Sequence, residues 1–126
     1  MSSNYRILVT GSRRYEDLDT VAQALHPWLA LARSMDTVLE LVHGKCPYGG
    51  LDDLAGYVWS GWGMPVREVP AKVVGGRLLG PERNSEMVAL GGYWVCLGFP
   101  LDGSRGTYDC MRKAAAAGIL TMEIKR

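Results

Sequence analysis

The chain has 126 residues, 48% hydrophobic and 21% charged, which excludes a disordered chain and bounds it to one domain able to bury its own core. Its 14 basic and 13 acidic residues leave a formal charge of +1 and are well mixed. That balance gives no nucleic-acid footprint and disfavours duplex binding.

No apolar run approaches the ~18 residues of a membrane span. Met1 to Arg6 leads into a strand-like segment without a leader core. The expectation is a soluble, cytoplasmic domain with no membrane partner.

Tyr5 to Thr10 is short and apolar and stops at Gly11-Ser12, the pattern of a buried strand. Leu18, Val21, Ala22, Leu25, Leu29 and Ala32 then share one face of a helix, which Pro27 is expected to kink or split. Val38 to Val42 reads as a second strand, ended by His43-Gly44. Beyond Gly49-Gly50, residues Leu51, Leu54, Ala55, Val58 and Trp62 line a second helix. Val66 to Val69 is a third strand, and Pro70 to Gly80 reads as Gly-rich and irregular. Pro81 suits the first turn of a third helix, closed by Gly91-Gly92. Tyr93 to Phe99 is a fourth strand. A last helix is expected from about Thr107 to Ala117, and a last strand from Ile119 to Ile124.

Strands alternating with helices predict βαβ units, and apolar, non-alternating strands predict a sheet covered on both faces. The fold class is α/β: a single three-layer domain, residues 1–126, with a mainly parallel sheet of about five strands. Cys46, Cys96 and Cys110 are odd in number and widely spaced, so they read as reduced thiols, with no zinc or other metal site. Cys96 falls in an apolar strand and is expected in the core.

Ligands of open α/β sheets bind beyond the carboxyl ends of the strands. Four exits here join glycine to polar side chains: Thr10-Gly11-Ser12-Arg13; His43-Gly44 through Gly50-Leu51-Asp52; Gly80-Pro81-Glu82-Arg83-Asn84; and Gly103-Ser104-Arg105-Gly106-Thr107. Glycine admits a ligand close to the backbone, and helix N-termini offer free N–H groups and a positive dipole end. Each turn alone is commonplace, but four on one edge describe a phosphate-friendly rim. Neither GxGxxG nor a P-loop Gly-Lys-Ser/Thr is present, which disfavours a dinucleotide-dependent dehydrogenase and a P-loop NTPase.

These four segments, with Gly80-Pro81-Glu82-Arg83-Asn84-Ser85-Glu86-Met87 the most specific, resemble the YspA-type branch of the SLOG superfamily along nearly the whole chain. The resemblance implies a Rossmann-like fold, a nucleotide or nucleotide-derived ligand, and a bacterial or phage source. It links the chain to lysine-decarboxylase-like phosphoribohydrolases and to the DNA-processing protein DprA. It would place Gly11, Ser12 and Arg13 at a first phosphate or sugar contact, with Gly103, Ser104, Gly106 and Thr107 as an anion cradle. His43, Gly44 and Gly80 would complete the rim. Asp52 would accept ribose hydroxyls, or serve merely as a helix N-terminal acid. Arg83 would fork onto a phosphate, with Asn84 orienting it, or form a surface salt bridge.

The phosphoribohydrolases carry P-G-G-x-G-T-x-x-E. Here the initial Pro is Asp102, the second Gly is Ser104, and the Glu position is Cys110. A thiol does not replace that carboxylate, and Asp109 lies one residue early, roughly 100° around the helix. Phosphoribohydrolase activity therefore does not carry over. Catalytic candidates are limited to Asp52, Asp109 and His43, with Asp53 a further carboxylate; His43 is a general base or a structural histidine.

The leading expectation is a binding module, a sensor or sequestering protein for a nucleotide-like small molecule, with no cofactor required. Alternatives are a hydrolase of N-glycosidic or phosphate bonds and a nucleic-acid or protein-interaction module. Trp28, Trp59 and Trp62 lie on apolar faces suited to the core or to a homodimer. Lys45 to Tyr48 forms a loop that shapes a pocket or is simply variable.

Overall fold

The computed structural model describes residues 5–125; Met1 to Asn4, read above for a leader, and Arg126 lie outside the described residues. Its elements are β1 (Tyr5–Gly11), α1 (Leu18–Ser34), β2 (Leu39–His43), α2 (Leu51–Gly61), β3 (Val66–Glu68), β4 (Val73–Val74), β5 (Arg77–Leu78), α3 (Gly80–Ala89), β6 (Tyr93–Phe99), α4 (Arg105–Ala116) and β7 (Thr121–Glu123). The main sheet has the order β3-β2-β1-β6-β7, with every pair parallel. The expected α/β architecture with a five-stranded Rossmann-like sheet is therefore observed.

The apolar strands are buried on both sides because each face carries helices. Ile7, Val9, Leu39 and Leu41 pack with Val21, Leu25 and Leu29 of α1 and Ala55 and Trp59 of α2. Leu8, Val42 and Cys96 face the opposite way, onto Met87 of α3 and Cys110 and Ala114 of α4. The alternation of Leu41 and Val42 between these clusters is the period-2 geometry of a strand. Trp59 is wholly buried and donates its indole N–H to the Leu39 carbonyl at 3.0 Å, while Trp28 and Trp62 are half-buried against the same core.

From β1 the chain builds β2 and β3 on one side, then crosses to lay β6 and β7 on the other. The loops leaving β1 and β6 therefore part over a crevice at the strands' carboxyl ends, the switch point of a doubly wound sheet. Both border strands, β3 and β7, are only three residues long.

Three details differ from the sequence reading. Helix α1 is not split but runs from Leu18 to Ser34 through Pro27, and Pro27 and Gln23, four residues before it, are both exposed. Pro70 to Gly80 contains a small antiparallel hairpin, β4–β5, turned by Gly75-Gly76. Helix α4 begins at Arg105 rather than Thr107, which places Gly106 and Thr107 inside its first turn. Among the described residues no helix is long and apolar enough to cross a membrane.

Candidate functional site

A cavity of about 320 Å³ opens over the β1/β6 crevice. Its walls come from the β1 exit (Val9 to Arg14), from Gly44 and Cys46 after β2, and from Asp52 at the start of α2. Arg83, Asn84 and Met87 of α3 and Gly103 to Thr107 at the start of α4 complete them. All four segments thus contribute to one cavity, the third through Arg83 and Asn84.

The electrostatics of this wall are dominated by four arginines, Arg13, Arg14, Arg83 and Arg105. Arg83 is half-buried and held by its own chain: Nε donates to Asn84 Oδ1 at 2.9 Å and Nη1 donates to the Gly44 carbonyl. Among the described residues Nη2 takes no partner, so the fork is aimed and still has donors to give. Gly44 leaves room for this: a Cβ there would meet the Arg83 guanidinium and push that flexible side chain from its position. Asn84 is itself buried, and its Nδ2 donates to the Gly106 carbonyl at 3.2 Å and to Asp109 Oδ2 at 3.0 Å. It therefore locks α3 to α4 and sets the Arg83 side chain. Arg14 donates to the Asp102 carbonyl at 2.9 Å, and the Arg13 guanidinium lies 5.1 Å from the centre of the Tyr48 ring.

Helix α4 adds its dipole. No side chain caps its N-terminus, because Ser104 Oγ accepts the Leu101 N–H at 2.8 Å instead. Its first turn, with Gly106 and Thr107, lines the cavity, and a helix N-terminus attracts anions. The β1 exit is tied to α2 by the Leu51 N–H, which donates to the Ser12 carbonyl at 3.1 Å. Gly50 permits that approach: at φ 79°, its Cβ would fall 2.5 Å from the Arg13 backbone.

The carboxylates are placed differently. Asp52 is 7% exposed, lines the cavity and accepts the Cys46 N–H at 3.0 Å. Burial pushes its carboxyl above the usual range, against the pull of His43, the Cys46 N–H and Arg83. Asp109 is engaged by Asn84 and by Lys113 Nζ at 3.0 Å. Burial works against its ionisation, but those two partners outweigh it and hold the carboxyl below its ordinary value. It does not line the cavity.

His43 is buried, and burial lowers its pKa despite Asp52, Glu68 and Asp53 nearby. Its Nδ1 accepts the Lys45 N–H at 2.9 Å, so in the neutral ring the proton sits on Nε2, 3.9 Å from Glu68. His43 and Asp53 line a second cavity of about 310 Å³, behind Asp52, with Tyr57 and Glu68.

Of the residues singled out from sequence, the cavity gathers Gly11, Ser12, Arg13, Gly44, Asp52, Arg83, Asn84, Gly103, Ser104, Gly106 and Thr107. His43, Gly80 and Asp109 stand outside it. The cavity also gains Arg14, Cys46, Met87 and Arg105, which the motif reading passed over. Arg14 and Arg105 each adjoin or sit inside a Gly-polar turn, and that adjacency was the available signal. Cys110, at the hydrolase Glu position, is fully buried beneath α4 in the core. Among the described residues no three His, Cys, Asp or Glu side chains are grouped to hold a metal ion.

The chain is 40% identical over 127 aligned residues to the "Gene 61 protein" of Mycobacterium phage D29, covering 90% of this chain and 91% of that protein. No family model matches it, and no solved structure matches it.

Proposed function

The chain belongs to the family of that phage protein, and we propose that it binds a nucleotide or nucleotide-derived small molecule at the carboxyl edge of its sheet, as a cytoplasmic sensor or sequestering module. The observation that carries this reading is the convergence of Arg13, Arg14, Arg83 and Arg105 with the uncapped start of α4 on one cavity. Arg83 pulls on the one buried carboxyl of the wall, Asp52, which burial biases toward its neutral form, and the other three arginines line the same cavity. A phosphate satisfies that field, and the planar Arg83 fork suits its oxygens.

Titration calorimetry with AMP, ADP and ribose 5-phosphate tests it. Saturable binding is expected, weakened in Arg83→Ala by roughly 10- to 100-fold, the size of a lost charge-assisted pair. Absence of heat with all three ligands, or an Arg83→Ala variant that binds like wild type, would overturn the reading.

Asp52 favours a second reading, a hydrolase acting on the same ligand. A buried carboxyl on the cavity wall whose pKa burial raises holds a proton more readily than an ordinary aspartate and is suited to donate it. Released base or ribose phosphate after incubation with nucleotides would support it, and full turnover by Asp52→Asn would remove Asp52 from that role.

A further inference from the structure

Tyr48 is an aromatic side chain placed where a core cannot use it. It is 67% exposed and does not itself line the arginine cavity, but its ring lies 5.1 Å from the guanidinium of Arg13 and it follows Cys46 by two residues, both of which do line it. The loop that carries it is anchored at its base. The Lys45 N–H donates to His43 Nδ1 at 2.9 Å, and the Cys46 N–H donates to Asp52 Oδ2 at 3.0 Å. Cys46-Pro47-Tyr48-Gly49 then closes a four-residue turn, with the Gly49 N–H donating to the Cys46 carbonyl at 3.1 Å. Proline at the second position presets φ, and glycine at the fourth is the usual companion of a type I turn. Tyr48 has no positive φ, which fits that turn and not type II. A pre-set turn with two anchored amides thus holds a ring at the cavity mouth.

The cavity's size makes the ring useful. At about 320 Å³ it lies at the small end of the ~300–1,000 Å³ range of ligand pockets. That volume suits a phosphate and its sugar, while a planar base attached to them would emerge at the mouth. The ring of Tyr48 already receives one flat, delocalised group, the Arg13 guanidinium.

We propose that Tyr48 is the stacking platform for the nucleobase of the bound ligand, so the site takes nucleoside phosphates in preference to bare sugar phosphates. The Arg13 guanidinium covers the ring in the free protein and turns toward the phosphate as the base takes its place. The inference rests on the anion-binding reading of the same cavity and adds to it the chemical class of the ligand.

The test is calorimetry with AMP and with ribose 5-phosphate on wild type, Tyr48→Phe and Tyr48→Ala, with thermal unfolding confirming that each variant is folded. Wild type should bind AMP more tightly than ribose 5-phosphate. Tyr48→Ala should lose on the order of tenfold in AMP affinity, the scale of base–aromatic stacking, and leave ribose 5-phosphate unchanged. Tyr48→Phe should keep the preference.

Equal losses for both ligands in Tyr48→Ala would assign the ring to loop integrity and overturn the inference. So would AMP binding that Tyr48→Ala does not alter, or a wild type without preference between the two. If ribose 5-phosphate binds in any of these cases, the anion-site reading survives alone. Absence of binding by either ligand to wild type would overturn both.

Discussion

Two cavities of nearly equal size, about 320 and 310 Å³, lie on either side of Asp52, and their walls carry opposite charge. One faces four arginines and the uncapped start of α4; the other faces Asp53 and Glu68 with a buried neutral histidine. Volume therefore does not distinguish them. What does is the state of the polar groups. In the acidic cavity Glu68 is answered within the chain by Lys45 Nζ at 3.0 Å, and His43 Nδ1 accepts the Lys45 N–H. In the basic cavity Arg83 keeps Nη2 unused and no side chain caps α4, whose Arg105 N–H donates to the Gly103 carbonyl at 2.9 Å. Satisfied charge makes a wall, whereas oriented charge left over makes a binding site.

The sharpest way to break that contrast is Gly44→Ala, which keeps every charge but thrusts a methyl group into the Arg83 guanidinium. AMP affinity should fall roughly 10- to 100-fold, approaching Arg83→Ala, if aim rather than charge count matters. Calorimetry with a near-normal affinity would show that the fork's position is irrelevant.

Asn84→Ala should cost about 2 kcal/mol in urea unfolding, because it removes a buried carboxamide that joins α3 to α4 and leaves its partners unmet. A change under about 0.5 kcal/mol would mean the lock is dispensable.

Asp17 provides a control remote from both cavities. It caps α1 by accepting the Thr20 N–H at 3.1 Å, so Asp17→Ala should lower stability by about 1 kcal/mol without altering AMP binding.

The acidic cavity should be nearly silent toward ligand but not toward protons. His43 has a folded pKa below its ordinary value of 6.5, so the unfolded chain binds the extra proton first. The histidine's contribution to stability is then present above pH 6.5 and declines as pH falls below it. Asp52, whose folded pKa is raised, contributes the opposite slope across the carboxylate range. Unfolding of His43→Gln, followed from pH 7.5 to 5.5, should lose the histidine's part of this dependence. An unaltered slope would place the titration elsewhere. Glu68→Gln should leave AMP affinity untouched.

Much of this architecture can be read from the residues themselves. The central strands β1, β2 and β6 are short, largely apolar runs bounded by glycine, and the α1 and α2 faces repeat at helical spacing, so local pattern and tertiary burial agree there. The hairpin escaped because Val73-Val74 and Arg77-Leu78 are too short to show alternation, although Gly75-Gly76 between them is a recognised turn pair. Of the kink or split expected at Pro27 the split does not occur, and Pro27 lies on an exposed stretch of α1 where a lost helical hydrogen bond is least costly.

At the site, glycines at strand exits marked the rim well. The assignment of His43 did not follow from its position after an apolar run. It is the last residue of β2, two beyond Leu41, so it faces α2 and Gly56, while Val42 faces α3. Asp52 could be placed on the rim from sequence, but its raised pKa could not, since that depends on how deeply α2 sinks against the β1 exit.

The three-residue border strands carry a consequence for how the protein behaves when crowded by its own copies. An exposed sheet margin is a template on which another chain can zip up, and the hazard grows with the number of rungs it offers. Here either margin offers only a few before the backbone turns away. Copies expressed at high concentration can therefore meet side by side without polymerising through their sheets, and lengthening β7 by a few β-branched residues would be a direct route to fibres.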